Sequence, residues 1–473
     1  MSFISFEFIA FTAILLILYY LLPKKLQQPL LLVFSFFFIY VCSGYLTVYL
    51  IITIITTYFA GLYANKKGAA ALCIGFNLLL LVVLKYTGWL SINGLLLPLG
   101  ISFYTLQAAS YLIDVKREEN PPERNLFRLA LFLSFFPQLV QGPFNRYNDM
   151  AETLYKPHAY ESATVASGIK RLVWGYFKKL IVADRVAAAA ALLFTKPEDY
   201  GGAYVLLGII LYAIQLYCDF TGGIDIALGL AKALGISMAE NFDRPFLAQS
   251  VKEYWRRWHI SLGAWFRDYV FYPLSASSPM RALAKRLKPR LGKKSGAIPS
   301  YIATLIVWMC TGLWHGFSLN YIVWGLLFGI IMVISEELSP LYKRFHAAVK
   351  IENTALWQGF RVVRTFIILG LVRTFECYEG VGRTAAMLKS LFTANNWELL
   401  LHDRLGLSSA DWLAALIGLL IIIASGLIPK ERRLINSNTV LSSALTAAAV
   451  LIILIFGAYG IGYNAADFIY GQF

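Results

Sequence analysis

Residues 301–334 read YIATLIVWMCTGLWHGFSLNYIVWGLLFGIIMVI, an apolar run without one charged side chain. Such a run, about 51 Å of helix, exceeds one crossing of a hydrocarbon layer about 30 Å thick, so it is predicted to form a pair of spans or a broken pair. Near its middle stands Trp308-Met-Cys-Thr-Gly-Leu-Trp-His-Gly316, which places His315 close to the turn between the two helices. A histidine at membrane depth costs free energy unless it lines a cavity or finds a partner, and it therefore marks a functional position by default. Gly312 and Gly316 allow close approach of backbone or substrate, and Trp308 and Trp314 supply rigid walls. The competing reading is a histidine hydrogen-bonded inside a helix bundle. If the first helix crosses from Tyr301, a rise of 1.5 Å per residue puts His315 about 21 Å deep, so a substrate reaches it only through a tunnel.

Composition agrees with that class. The chain has 473 residues, 58% of them hydrophobic and 15% charged, with a mean hydropathy of +0.62. These values exclude an ordinary soluble enzyme and indicate an all-α, polytopic protein of the cell membrane, read as one domain over residues 1–473. Lys and Arg exceed Asp and Glu by 42 to 27. In a membrane protein that excess marks cytoplasmic loops facing anionic lipid and does not imply nucleic acid. The five cysteines are scattered, with no spacing that suits a metal, so no metal and no bound cofactor are expected.

Outward from the central run, Arg281 to Lys294 holds seven basic residues and no acid and reads as a cytoplasmic loop. Ile4–Leu22 is a retained span, and the stretch from Pro29 to Ala64 breaks near Ser43-Gly44. Pro98 to Gln107 is apolar but carries Ser102, Tyr104, Thr105 and Gln107, as suits a helix lining an interior cavity, a re-entrant helix, or interhelical hydrogen bonding. Pro137 to Pro143 is irregular backbone. Gly168 to Val182 alternates basic and apolar groups, as in a helix lying at the interface or entering the bilayer from its basic side. Tyr204 to Leu234 contains Asp219 and Asp225, with a helix break expected at Gly222-Gly223. Arg256 or Arg257 is the expected partner of those carboxylates. Asp114–Arg128 and the stretch from Val372 to Ala410 read as connections, followed by spans at Trp412–Ile428 and Val440–Ile461.

A second unusual stretch is Asn241-Phe-Asp-Arg-Pro-Phe246, then Tyr254-Trp-Arg-Arg-Trp-His-Ile-Ser-Leu262 and Trp265-Phe-Arg-Asp-Tyr269. At helical spacing His259 shares a face with Trp255, Arg256, Leu262 and Gly263. A solvated Trp/Arg belt is the alternative. Taken in order with Gly312-Leu-Trp-His-Gly316, these motifs resemble the membrane-bound O-acyltransferase family, in particular its bacterial branch of alginate O-acetylation and D-alanyl-lipoteichoic acid acyltransferases. Pro98–Thr105, Gln141-Gly-Pro143, Tyr217-Cys-Asp-Phe220 and Phe468–Phe473 support the likeness, which spans nearly the whole chain. One departure is Thr221-Gly-Gly-Ile-Asp225, where many members read Ser-Gly-Tyr-Ser-Asp.

The resemblance implies a bundle of tilted and re-entrant helices around a central tunnel. The family histidine falls on His315 and the second important one on His259. It also implies a cytoplasmic thioester donor, acetyl-CoA or an acyl carrier protein, delivery toward the outer side for O-acetylation of an exported polysaccharide, and an SGNH-type partner beyond membrane lipid. On this reading His315 is the general base, and His259 orients the donor or donates to the oxyanion with help from Asn241. Trp255, Trp258 and Trp314 dry the tunnel, while Asp219 and Arg256 line it. D-alanyl transfer from a carrier protein is the alternative within the class. A secondary transporter with midplane Asp and His is the alternative outside it.

Overall fold

In the computed structural model, which describes residues 1–86, 97–401, 403–428, 440–459 and Phe468, every apolar run is helical. Among the described residues there is no strand beyond one bridge, Phe242 with Trp258. Among the described residues, seven helical segments are long and apolar enough to cross a membrane, and Phe6–Leu21 and Val440–Phe456 are shorter apolar helices. The break expected near Ser43 is present. The Gln27–Ser43 helix ends on Gly44 at φ 56°, and a new helix runs Thr47–Leu62. Basic Lys430–Arg433 and the C-terminal motif, apart from Phe468, lie outside the described residues.

Contacts divide the chain into two compact units. The first comprises Met1–Ala187, Ile214–Ala239 and Leu407–Phe473, and the second Ala188–Ala213 with Glu240–Gly406.

In the first unit the Ile101–Lys116 helix is buried along nearly its full length, as its polar content predicted for an interior element. It extends past Asp114, so the following connection is shorter than expected. Pro137 does not prevent a helix; it stands in the first turn of Phe136–Val140, where a missing N–H costs nothing. Irregular backbone is confined to the residues after Val140.

Two further expectations are corrected in this unit. The Ala203–Ala233 helix is continuous, with no break at Gly222-Gly223. Gly222 and Gly229 instead meet Gly175 and Gly168 of the Ser162–Phe177 helix, one pair of glycines seven residues apart on each side. A Cβ at Gly175 would stand 2.6 Å from the Gly222 carbonyl oxygen, so small residues set the helix spacing, as is common between membrane helices. Gly223 makes room for a different neighbour: a Cβ there would lie 1.6 Å from Gln141 Oε1.

The basic residues of Gly168–Val182 also turn inward instead of spreading over an interface. Lys170, Lys178 and Lys179 are buried. Lys178–Ala183 forms a π-helical turn that brings Lys179 and Asp184 onto one face. Lys179 Nζ lies 2.6 Å from Asp219 and 2.8 Å from Asp184, and Asp225 binds Arg171 at 2.9 Å and Lys178 at 2.5 Å. These neighbours, not Arg256 or Arg257, hold the two carboxylates; Arg257 pairs with Glu253 at 2.6 Å and Arg256 is exposed. The tertiary partner was one helix away in sequence, and the pairing follows from the glycine-packed contact just described.

Two carboxylates share the ammonium of Lys179. Burial, only partly offset by Lys179, pushes the Asp184 carboxyl up to about 7 from its ordinary value of 3.8. The folded chain thus holds a proton that the unfolded chain releases near pH 4. That contribution to stability is complete at low pH and is lost as pH rises through about 7. Thermal unfolding in detergent should show a lower midpoint at pH 8 than at pH 5, and Asp184→Asn should flatten the difference. An unchanged pH profile in Asp184→Asn would remove this carboxyl as its source.

In the second unit, Ile298–His315 and Leu319–Val349 form the predicted hairpin, with His315 as the last helical residue before the turn. Glycine lets the two backbones touch: a Cβ at Gly312 would lie 2.2 Å from the Tyr321 carbonyl oxygen, and one at Gly325 equally near that of Trp308. Gly312→Ala would favour an isolated helix by up to about 1 kcal/mol. Here it is expected to lose about 1–3 kcal/mol through overpacking, measured as a lower unfolding midpoint. Residues 281–294, expected as a loop, are helical over Ser278–Leu291 and continue as a tighter turn to Ala297. Beyond Val372 the Ala355–Cys377 helix runs on, and Val381–Thr393 forms another helix inside the expected connection.

Candidate active site

The second histidine does not sit within a helix, as its neighbours' spacing suggested. Val251–Arg257 and Ile260–Phe266 are separate helices, and His259 joins them in the left-handed conformation at φ 49°, ψ 50°. For a residue with a Cβ this backbone costs about 1–3 kcal/mol, so surrounding contacts must impose it. They come from the segment around Asn241. Asp243 N–H donates to the Arg257 carbonyl at 2.9 Å and Ile260 N–H to the Asn241 carbonyl at 3.0 Å, with Phe242 bridged to Trp258 between them.

The Asn241 side chain completes the lock. It is fully buried, and its Oδ1 accepts from the Ser261 backbone N–H at 3.0 Å and the Ser261 hydroxyl at 2.8 Å. A backbone N–H only donates, so this atom of Asn241 is the oxygen. His259 Nδ1, 3.3 Å from the same oxygen, must therefore carry the hydrogen. Burial pushes the His259 imidazole down to about 3, so the ring is neutral and its Nε2 is an acceptor. Of the two roles expected for His259, orienting the donor fits this tautomer, whereas donating to an oxyanion does not. The Asn241 amino group, buried without a hydrogen-bond partner among the described residues, is a donor available in its place.

The two histidines border one tryptophan. The His259 ring centroid lies 6.0 Å from that of Trp314, and Trp314 lies 5.0 Å from His315. His315, 8% exposed, also meets Trp324 edge-on at 5.0 Å and stacks along Tyr321 at 5.9 Å. Behind them Trp255 packs on Trp308 at 4.7 Å and on Phe328 at 5.1 Å. Trp258 is buried against Phe242 and Tyr254. His259, His315, Asn241, Trp255, Trp258 and Trp314 thus belong to one unit and one neighbourhood. Asp219 belongs to the other unit, in the lysine cluster described above, and Arg256 shares the helix of Trp255 but is exposed.

Sequence reasoning missed three polar residues of this neighbourhood. Arg373 and Glu376, 3.2 Å apart, close the Ala355–Cys377 helix, which had been ended at Val372. Asn320 Nδ2 donates to the Tyr378 carbonyl at 2.6 Å and so ties that helix end to the His315 hairpin. Arg and Glu three residues apart in an apolar helix were a visible signal.

The motifs that carry this geometry recur in known proteins. Across 334 residues the chain is 32% identical to the probable alginate O-acetylase AlgI of Pseudomonas aeruginosa, covering 70% of this chain and 59% of that protein. With the probable alginate O-acetylase AlgI of Pseudomonas putida it shares 30% identity over 88% of this chain and 85% of the relative. The teichoic acid D-alanyltransferase of Bacillus subtilis is 29% identical over 52% of this chain and 61% of its own length. A family profile matches residues 116–285 and 288–377, a stretch that holds both histidines, the Asn241 lock and the tryptophans between them. The chain accordingly belongs to the membrane-bound O-acyltransferase family of integral membrane enzymes.

Proposed function

We propose that this protein transfers an acetyl group from a cytoplasmic thioester, acetyl-CoA, to a hydroxyl acceptor, as the membrane step in O-acetylation of an exported or cell-envelope polysaccharide. An SGNH-type protein on the outer side would complete the transfer. The single observation that carries the reading is the pair of buried imidazoles on either side of Trp314. The family relatives named as O-acetylases supply the acyl group.

The chemistry follows from the placement of the groups. His315 takes the proton of the acceptor hydroxyl as its oxygen attacks the thioester carbonyl; a C–O bond forms, the C–S bond breaks, and the proton passes from His315 to the departing thiolate. Positive charge that develops on His315 meets the carbonyls at the carboxyl end of an 18-residue helix. His259 Nε2 accepts from an N–H of the donor arm, and the Asn241 amino group donates to the oxyanion. The Ser278–Leu291 helix exposes Arg281, Lys285, Arg286, Lys288 and Arg290 and would draw an anionic CoA toward the protein.

A second reading, D-alanyl transfer from a carrier protein, is favoured by the likeness to the teichoic acid D-alanyltransferase. Family membership leaves no support for the transporter alternative. Purified protein offered labelled acetyl-CoA or D-alanyl carrier protein, with a polysaccharide acceptor and the outer partner, separates the donors. Transfer from acetyl-CoA supports acetylation, and transfer from the carrier alone overturns it.

A further inference from the structure

The carboxyl end of the Ala355–Cys377 helix holds two buried charges to which the proposed chemistry gives no role. The Arg373 and Glu376 side chains are 5% and 9% exposed. An ion pair so deeply withdrawn from water is rarely a net source of stability, because desolvation offsets the attraction. Its neighbours suggest what it does instead. Arg373 Nη2 donates to the Tyr254 hydroxyl at 2.9 Å, and the guanidinium lies 4.8 Å from the Trp258 ring centroid and 5.6 Å from that of Trp255. These three aromatics belong to the segment that ends in His259. On the other side, Glu376 accepts from the Tyr212 hydroxyl at 2.9 Å, and Trp255 in turn packs edge-on against Trp324 at 5.8 Å. Trp324 is the ring set edge-on against His315.

We propose that the Arg373–Glu376 pair is a positioning device that sets the two histidines relative to each other, Arg373 fixing the aromatic wall that carries His259 and, through Trp255, the Trp324 ring against His315, while Glu376 holds Arg373 in place. This rests on reading His259 and His315 as the reacting pair. The planar guanidinium is suited to the task, since it stacks on aromatic rings and directs several N–H groups at once, which an ammonium cannot do. Asn320 holds the same helix end to the hairpin, so the pair sits on a rigid support. Neither residue touches the reacting atoms in this scheme; Arg373 acts through the aromatic rings and Glu376 through Arg373.

The test uses the full-length protein in detergent, with Arg373→Lys and Glu376→Gln. Both are first compared with wild type for monodispersity and thermal unfolding, then for kcat and KM separately. In folded protein kcat is expected to fall about 10- to 100-fold while KM for the donor stays within about threefold, as misplacement of reacting groups would cause. Nitrogen-15 spectra of histidine-labelled protein give a readout independent of turnover, because the chain has only five histidines. The resonances of His259 and His315, assigned by their alanine variants, are expected to move in both pair variants. Wild-type kcat in folded variants, or lost activity with unmoved resonances, overturns the proposal. Should Arg373→Lys not fold, Tyr254→Phe removes only the hydroxyl that Arg373 binds; a several-fold loss of kcat supports the proposal and none overturns it. Resonances that move in the pair variants of a protein whose wild type transfers no acyl group would sustain the coupling and defeat the acyl-transfer reading.

Discussion

His315→Ala is expected to slow acyl transfer by about 10²- to 10⁴-fold, the range usually lost with a general base. The expectation is specific to the side chain, because the helix it closes is held elsewhere. Gly312 and Gly325 bring the hairpin backbones together, and Ser318 caps the next helix by accepting from the Tyr321 N–H at 3.3 Å. Removing one imidazole from the end of such a hairpin leaves those contacts in place. The variant should therefore purify and unfold like wild type while failing to turn over labelled acetyl-CoA with acceptor present. Transfer at the wild-type rate would take His315 out of the chemistry. His259→Ala serves as the contrast: an orienting acceptor should affect donor KM as well as kcat, whereas loss of the base should appear in kcat.

The largest stability effect is expected at Lys179. Its side chain is 1% exposed, and those of Asp184 and Asp219 are 2% and 3% exposed. Lys179→Met fits the same space but leaves carboxylates buried with no cation at 2.6–2.8 Å, a loss of about 3–5 kcal/mol by comparison with other broken buried pairs. The measurement is the yield of monodisperse protein and its unfolding midpoint. Adding Asp184→Asn and Asp219→Asn removes the stranded charges and should recover most of the loss. If Lys179→Met alone unfolds like wild type, the cluster does not hold the first unit together.

Much of the fold was legible because local signals sufficed. Apolar length marked the spans, Gly44 marked a break, and the charge-free run around His315 marked a hairpin with a histidine at its turn. The misreadings share a cause: each feature depends on a partner distant in the chain. Gly222 looks the same in sequence whether it breaks a helix or admits another backbone, and only the Gly175 carbonyl decides it. Lys178 and Lys179 resemble interfacial lysines until Asp225 and Asp219 are placed beside them. The residues around His259 favour helix throughout, and the break there is imposed by Asn241 18 positions earlier. Candidate residues were found by type and motif, whereas the tautomer of His259 required the Ser261 N–H.

The π-helical turn at Lys178–Ala183 carries one consequence beyond its ion pairs. A π turn holds an extra residue, so everything after it is rotated by about 100° relative to a plain α-helix. Asp184 reaches Lys179, and Arg185 reaches Asp411, only in that shifted phase. Seen this way the turn is a single-residue insertion retained in the chain. A one-residue deletion from Leu180 to Ala183 would turn it into plain α-helix and, by setting Lys179 and Asp184 four residues apart on one face, keep Asp184 and Arg185 on their marks.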